Sequence, residues 1–172
     1  RQFGKLPFGY DHKYVYSHLG YNLKVTDMQA AVGCVQLQKI SSFIERRRHN
    51  WDRLHKALED VTDKLVLPEP KENSIPSWFG FLISVRLDSG CKRNDIIKYL
   101  EDHNVQTRLL FSGNIIKQPC FNQMREVEEF RVVEKLEATD YIMNNSFWVG
   151  VYPGITDEAI DYMAKVITEA VL

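Results

Sequence analysis

The chain has 172 residues, a length that corresponds to roughly one domain. Hydrophobic residues make up 44% and charged residues 26%, a globular composition that excludes an intrinsically disordered chain. The 22 basic and 23 acidic residues give a net charge of −1, which argues against a general nucleic-acid binder. Three cysteines without a C-x-x-C pair exclude a disulfide scaffold and favour a reducing, cytoplasmic compartment.

The N-terminal 24 residues contain six aromatic residues and three glycines without a helical or strand period. We therefore expect an extended arm that makes ordered contacts. Because the chain begins at Arg1 and has no apolar leader or membrane-length apolar run, we expect a soluble piece of a longer protein.

A helix is expected to follow the arm. Thr26 and Gln29 have the spacing of a capping box, in which each side chain bonds the backbone of the other. Apolar residues at helical spacing then predict a buried stripe, with Cys34 as a small core residue within it. The pair at 41–42 (Ser-Ser) predicts a break before a second helix.

The remaining elements alternate between strands and helices. In chain order, we predict strands at 65–67 and 78–87, a helix of about ten residues after the turn at 88–90, a strand at 105–111, an irregular segment at 112–123, a helix at 126–143, a strand at 147–151 and a final helix capped by Thr156. This order indicates an α/β (α+β) fold, with a small sheet backed by helices. We expect two parts: 1–60, the aromatic arm and linking helices, and 61–172, a C-terminal α/β domain.

Catalytic and metal-binding motifs are absent from the sequence. It has no P-loop, no G-x-G-x-x-G turn and no nucleophile elbow, and its five histidines and three cysteines lack the spacing of metal ligands. We therefore expect no catalytic residue and no metal ligand within this chain.

Two segments have the character of binding surfaces. Asn22 and Lys24 lie two residues apart just before a predicted helix N-terminus, which suits a phosphate group. Arg108 lies near the end of a predicted strand, where its fork suits a pyrophosphate or carboxylate, and Asn114 suits a sugar hydroxyl. The alternatives stay open: a turn asparagine with a solvated lysine in the first segment, and an arginine paired with a neighbouring glutamate in the second.

At these segments the chain resembles the DegT/DnrJ/StrS sugar aminotransferases, vitamin B6 enzymes of the aspartate-aminotransferase fold. The residues that carry the resemblance are G-Y-N-L-K at 20–24 and T-D-M-Q-A-A at 26–31. A narrower resemblance, to the CDP-4-keto-6-deoxyglucose 3-dehydrases of lipopolysaccharide biosynthesis, is carried by G-Y-D-H-K-Y at 9–14, Y-S-H at 16–18, S-W-F-G-F at 77–81, T-R-L-L-F at 107–111, G-N at 113–114, Q-P at 118–119 and F-W-V-G-V-Y-P-G at 147–154.

The resemblance implies a fold and a chemistry. The chain would be the C-terminal small domain of a fold-type-I PLP enzyme that removes the 3-hydroxyl of a CDP-4-keto-6-deoxyhexose in 3,6-dideoxyhexose and O-antigen biosynthesis. Pyridoxamine or pyridoxal phosphate (PMP/PLP) and a 2Fe–2S cluster would be its cofactors, with a histidine in place of the usual lysine. A reductase and a second copy of the protein would be its partners, and the chain alone would be inactive and bind no cofactor.

The resemblance also implies roles for individual residues. Asn22 and Lys24 would reach the cofactor phosphate of the other subunit, although most of the family has arginine where Lys24 stands. A second group would line the sugar-nucleotide pocket, and its members are Arg108, Phe111, Asn114, Trp78 and His18.

Three other hypotheses stay open or are disfavoured. A nucleotide-sugar aminotransferase of the same family would have a lysine upstream of this chain. A non-catalytic dimerisation module would use the aromatic residues of the arm. A nucleic-acid binder built on the three arginines at 46–48 is disfavoured by the balanced charge.

Overall fold

The structure, a computed structural model, describes residues 4–9, 11–16, 18–21 and 23–172. The chain divides into two compact units, Arg1–Lys39 and Ile40–Leu172. The first unit holds the arm and the beginning of helix α1 (Asp27–Ala57), and the second holds the rest of α1, a sheet and three further helices.

The first unit begins α1 as the sequence predicts. The backbone N–H of Thr26 donates to Gln29 Oε1 at 2.9 Å, and the N–H of Gln29 donates to Thr26 Oγ1 at 3.4 Å. These two bonds complete a capping box and satisfy N–H groups that a helix end leaves free. In the described part of the arm, the one regular element is a single 3₁₀ turn, His12–Tyr14.

Two expectations about α1 are wrong. The helix runs without interruption for 31 residues, so Ser41 and Ser42 lie inside it. Serine costs a helix only a few tenths of a kcal/mol, which is too little to end a helix that continues on both sides. Cys34 is exposed and so is the apolar stripe around it, because no described residue of the first unit covers this face.

The second unit is built on a four-stranded antiparallel sheet, with strand order β1-β2-β4-β3. Its strands are β1 (Leu65–Val66), β2 (Gly80–Val85), β3 (Thr107–Leu109) and β4 (Ser146–Gly150). Its helices beyond α1 are α2 (Arg93–Asp102), α3 (Glu137–Asn145) and α4 (Asp157–Val171). The first three strands lie within predicted ones and are shorter, whereas β4 has the predicted length and begins one residue earlier.

One face of the sheet forms the core. Along β2, Phe81, Ile83 and Val85 are buried and alternate with half-buried residues, as a strand with one packed face requires. Phe147 and Val149 continue this face on β4. Helices α1, α2 and α4 contribute further core residues, among them Trp51, Leu54, Ile96, Leu100, Ile160, Ala164, Val166, Ile167 and Val171, and Leu58, just after α1, joins them.

The predicted helix at 126–143 is the largest error in the second unit. Residues 126–136 contain a turn and irregular backbone, and α3 begins only at Glu137. Val127 and Glu134 have φ values of 77° and 63°, a left-handed conformation that a helix cannot contain. The predicted boundary at residue 60 stays a prediction about domains, although the residues from Trp51 to Leu58 share their core with the sheet.

Helix α4 begins as predicted and is fastened to α1. Thr156 Oγ1 accepts the N–H of Ala159 at 3.3 Å. The Asp157 carboxylate then pairs with three side chains of α1. Its oxygens lie 2.7 Å from a nitrogen of Arg46, 3.0 Å from Nε2 of His49 and 3.3 Å from a nitrogen of Arg53. The hydrogen bond from Arg46, followed by the bond from His49, lowers the pKa of Asp157.

We predict that this carboxylate makes folding stability depend on pH. Because its pKa is lower in the folded than in the unfolded chain, its contribution is present above about pH 4 and is lost as the pH falls through the folded value. Asp157→Asn should therefore lower the urea midpoint at pH 7, and the gap to wild type should close near pH 3. Asp52→Asn, in an exposed residue of α1, is the matched control. Equal midpoints of wild type and Asp157→Asn at pH 7 would contradict the prediction.

Candidate functional site

An aromatic pocket opens on the sheet face opposite the core. It encloses about 220 Å³. The residues that line it, called the aromatic pocket below, are Trp78, Phe79, Gly80, Leu82, Leu110, Phe111 and Trp148. Phe79 is 68% exposed and Phe111 is 79% exposed, so both rings are available to a ligand. The lining suits a flat, partly apolar molecule such as a nucleobase.

Strand alternation explains why these residues share a face. Leu82 lies between Phe81 and Ile83, both of which point into the core, and Trp148 lies between two core residues of β4. Leu82 and Trp148 are also direct partners across the β2–β4 ladder. Both side chains therefore point away from the core and form the floor of the pocket.

Helix α1 holds the segment that leads into the pocket. The Trp78 ring stacks on Trp51 with ring centroids 4.4 Å apart and planes 7° apart. Arg47 donates to the carbonyl of Trp78 at 2.9 Å, and Arg48 donates to the carbonyls of Ile75 and Pro76 at 2.9 and 3.0 Å. These arginines thus bind backbone carbonyls, which further disfavours the nucleic-acid hypothesis.

Gly80 leaves room for the Trp148 ring. A Cβ atom at Gly80 would lie 2.5 Å from Trp148 Cε3, a distance that real Cβ atoms do not adopt. The indole is held in place by a hydrogen bond from Nε1 to the Leu109 carbonyl at 3.2 Å and by the Phe79 ring, 5.0 Å away. A residue without a side chain is therefore required here.

We predict that Gly80→Ala displaces the Trp148 ring and lowers the free energy of unfolding by about 1–3 kcal/mol, the usual cost of overpacking. Gly150 is the matched control, because it pairs directly with Gly80 and a Cβ added there meets nothing within 4 Å. Gly80→Ala should lower the urea midpoint and change the near-ultraviolet circular dichroism spectrum. Gly150→Ala should have the midpoint and the spectrum of wild type. Similar spectra and stabilities for both variants would contradict the role given to Gly80.

Arg108 lies on the same face as the pocket. It pairs directly with Trp148 across the β3–β4 ladder, so both side chains point to one side of the sheet. Arg108 is exposed and makes no hydrogen bond or ion pair with another described residue. Glu101, the neighbouring carboxylate, instead accepts the N–H and hydroxyl of Thr107, both at 2.7 Å. Among the described residues, no hydrogen bond or ion pair joins Arg108 to Glu101, so the structure does not favour the alternative of an arginine paired with a glutamate.

The Glu101 carboxylate is also held ionised. The hydrogen bonds from Thr107 lower its pKa most, first from the backbone and then from the side chain, and the charge of Arg108 lowers it further. The Glu101 carboxylate is therefore bonded to Thr107, and Arg108 acts on it through its charge alone.

The loop that carries Phe111 has an unusual backbone. Phe111 has a φ of 47°, in the left-handed region, which costs a residue with a side chain about 1–2 kcal/mol. Its N–H donates to the Leu109 carbonyl at 2.8 Å, and the N–H of Gly113 donates to the Leu110 carbonyl at 3.1 Å. Gly113 has a φ of 61° and lies so close to Met143 that a Cβ atom would be 2.6 Å from its Cγ.

Asn114 differs from its predicted place in the pocket. It is 1% exposed, and its Nδ2 donates to Asp140 Oδ1 at 2.7 Å. It therefore does not line the aromatic pocket with Trp78 and Phe111. The amide donor that was expected to meet a sugar hydroxyl is engaged inside the protein.

The other predicted site residues belong to the first unit or lie outside the description. His18 and Lys24 are exposed, and each makes an interaction within the chain. Lys24 precedes the first residue of α1 by three positions, as expected. Asn22 lies outside the described residues. The roles predicted for these three residues stay predictions.

The sequence reasoning missed several residues that form the site. Phe79, Leu82 and Trp148 line the pocket, and Met143 fixes the loop that carries Phe111. The period-2 pattern of 147–151 contained a signal for Trp148, because burial of Phe147 and Val149 requires that it face the other way. No sequence signal marks Met143, since its contact with the loop depends on tertiary packing.

Two other features are absent from the described residues. No three histidine, cysteine, aspartate or glutamate side chains gather there in a group that could hold a metal ion. No described helix is both long and apolar enough to cross a membrane.

Comparison with known proteins gives the family. The DegT/DnrJ/EryC1/StrS aminotransferase family matches residues 1–168, so the chain belongs to this family. It is 50% identical to the lipopolysaccharide biosynthesis protein RfbH of Salmonella typhimurium, over 98% of this chain and 38% of that protein. It is 49% identical to a dTDP-4-dehydro-2,6-dideoxy-D-glucose 3-dehydratase of Saccharopolyspora spinosa, over 98% of this chain and 35% of that protein.

Solved structures confirm the fold. The chain matches an E. coli GDP-4-keto-6-deoxy-D-mannose-3-dehydratase with bound hydrated PLP, with a TM-score of 0.74 and 25% identity, over 90% of this chain and 38% of that one. The aminotransferase-like fold predicted from the resemblance is thereby confirmed. The chain spans between a third and two fifths of the length of these relatives.

Proposed function

We propose that the protein carrying this chain is a PMP/PLP-dependent 3-dehydrase of nucleotide-linked 4-keto-6-deoxysugars. We further propose CDP-4-keto-6-deoxyglucose as its substrate, in the biosynthesis of 3,6-dideoxyhexoses for O-antigen. The observation that carries the proposal is the arrangement of Arg108 beside the aromatic pocket on one face of the sheet. The identity to a 3-dehydratase over 98% of the chain supports the reaction, and the sequence segments that resemble CDP-sugar dehydrases support the nucleotide.

The pocket fits the nucleotide part of such a substrate. The exposed rings of Phe79 and Phe111 and the half-buried Trp78 offer stacking faces for a base. Arg108 offers a fork of N–H donors that matches a diphosphate. In this proposal the chain binds and orients the nucleotide. The role of His18 as a contact of the nucleotide sugar stays a prediction from the resemblance.

The cofactor phosphate is assigned to the first unit. Lys24 lies three residues before the first residue of α1, whose positive dipole end favours an anion. These features fit a phosphate group, and we propose that Lys24, together with Asn22, holds the phosphate of the cofactor of a second subunit. When bound, PMP supplies an amine for the sugar's keto carbon and a ring that takes up electron density. Lys24 and Asn22 orient it and neutralise its charge.

The remaining parts of the proposal concern the whole protein. We propose a homodimer, which the exposed apolar residues of the first unit support. A 2Fe–2S cluster and a reductase would supply two electrons. Together with two protons from solvent, these electrons would convert the C3–OH group into C3–H, and the oxygen would leave as water. The cluster, the reductase and the catalytic histidine follow from the resemblance and lie outside this chain. A cytoplasmic location is supported by three cysteines that form no disulfide.

A product assay tests the proposal against its alternatives. The protein is expressed from its own reading frame and incubated with PMP, a reductase with its electron donor, and CDP-4-keto-6-deoxyglucose. Mass spectrometry should detect a CDP-sugar that has lost one oxygen. A 4-amino sugar formed from glutamate would instead identify an aminotransferase. A stable dimer without either product would identify a non-catalytic dimerisation module.

A further inference from the structure

The loop from Leu110 to Asn114 is fastened to helix α3 at its end. Asn114 Nδ2 donates to Asp140 Oδ1 at 2.7 Å, and the Asn114 backbone N–H donates to Met143 Sδ at 3.3 Å. Asp140 and Met143 lie three residues apart on α3, so they share one face of the helix. This face of α3 holds the end of the loop.

The acceptor on α3 is itself held in place. Lys117 Nζ lies 2.7 Å from Asp140 Oδ1, the oxygen that also accepts from Asn114. The hydrogen bond from Lys117, followed by that from Asn114, lowers the pKa of Asp140, so the carboxylate stays charged at neutral pH. The Lys117 backbone N–H returns to the Asn114 carbonyl at 3.0 Å. Lys117 and Asn114 are thus bonded to each other through their backbones and to Asp140 through their side chains.

Two residues, Ser112 and Gly113, separate this anchor from Phe111, whose ring is exposed. Between them, Gly113 packs directly on Met143. On the other side, the Phe111 N–H bonds the carbonyl of Leu109, which belongs to β3. The loop is therefore fixed both by the sheet and by α3, and a left-handed residue such as Phe111 persists only where its surroundings determine its conformation.

We propose that Asn114 is a positioning residue, which fixes the loop at 110–113 through Asp140 and thereby places the Phe111 ring in the aromatic pocket. The part of this inference that concerns nucleotide-sugar binding rests on the proposed function. It assigns Asn114 a different role from the sugar contact expected from the sequence, because its amide donor is bonded to Asp140 and the residue is buried.

The first test needs no ligand. Hydrogen exchange of the protein expressed from its own reading frame is compared for wild type, Asn114→Ala and Tyr141→Phe. Tyr141 is the matched control, since it also lies on α3 and its hydroxyl donates to the Val85 carbonyl at 2.9 Å, away from the loop. Asn114→Ala should speed exchange at 110–113 and leave β2 and β4 unchanged, whereas Tyr141→Phe should leave the loop protected. Unchanged exchange at 110–113 in Asn114→Ala would overturn the inference.

The second test asks whether Asn114 acts through Phe111. Binding of CDP-glucose, dTDP-glucose and GDP-mannose is measured by calorimetry, and the tightest of the three is then used with every variant. Asn114→Ala should raise its Kd about five- to tenfold, as expected for a disturbed stacking contact. In a Phe111→Ala background it should add nothing, because the effects of residues that act as a unit are not additive. Equal effects of Asn114→Ala in both backgrounds would overturn the inference.

The two tests separate the possible failures. If wild type binds none of the three nucleotide sugars, the proposed function fails, and the exchange measurement alone then decides whether Asn114 holds the loop. If Asn114→Ala does not fold, Asp140→Ala replaces it, because Asp140 is the more exposed partner in the same hydrogen bond. Asp140→Ala should then speed exchange at 110–113, as expected for Asn114→Ala.

Discussion

Replacement of Trp51 by alanine is expected to lower the free energy of unfolding by about 3–5 kcal/mol, the usual cost of truncating a large buried aromatic residue. Trp51 is 5% exposed and contacts rings on three sides. It stacks on Trp78 at 4.4 Å, on His55 at 4.9 Å, and meets Phe81 at 5.5 Å. Urea denaturation at neutral pH measures the loss.

The same substitution should also weaken the aromatic pocket, because the Trp78 ring would lose the surface on which it stacks. Trp51→Phe is the control: it keeps a ring in place and should cost much less stability. A loss of less than about 1 kcal/mol in Trp51→Ala, the typical cost of an average substitution, would show that this stack does not hold α1 to the sheet.

Arg108→Gln should raise the KM for the nucleotide sugar about 10- to 100-fold. Hydrogen bonds to a charged group contribute about 1.5–3 kcal/mol, and each 1.4 kcal/mol is about a factor of ten in affinity. Arg108→Lys keeps the charge but loses the planar fork, so its KM should lie between those of wild type and Arg108→Gln. Steady-state kinetics of the protein expressed from its own reading frame measures the effect.

The stability of these Arg108 variants should match that of wild type, because the guanidinium makes no hydrogen bond or ion pair with another described residue. Arg125→Gln is the control for the KM measurement and should leave the KM unchanged. Arg125 is also exposed, but it pairs with Glu128 and Glu129 in a segment away from the pocket. A KM that stays at the wild-type value in Arg108→Gln would remove Arg108 from the substrate site.

Local signals in the sequence predicted much of the fold. The capping box at Thr26 and the cap at Thr156 act between neighbouring residues, so their positions are readable without tertiary knowledge. Period-2 alternation predicted β2 because one face of the strand is buried and the other is not. The continuity of α1 through Ser41 was not predicted, because serine is only weakly unfavourable in a helix and the packing further along α1 compensates.

The candidate site could be predicted only in part. The sequence and its resemblance point to Arg108, Phe111 and Trp78. In the structure Phe111 and Trp78 line one pocket with Trp148, and Arg108 is the ladder partner of Trp148. The left-handed backbone of Phe111 could not be predicted, since phenylalanine rarely adopts it and the cause lies in contacts with α3. Asn114 was selected for its amide, but burial beside Asp140 depends on a helix whose N-terminus the sequence misplaced.

The central claim is that a nucleotide sugar binds at the aromatic pocket. Hydrogen exchange measured with and without CDP-glucose tests this claim most directly. In the protein expressed from its own reading frame, ligand should slow exchange at 75–79 and 110–113, the loops that border the pocket. Exchange at residues 104–106, 159, 162 and 163, which line a separate cavity of about 330 Å³, should remain unchanged and so serve as an internal control. Protection at that second cavity, with none at 75–79 and 110–113, would contradict the account.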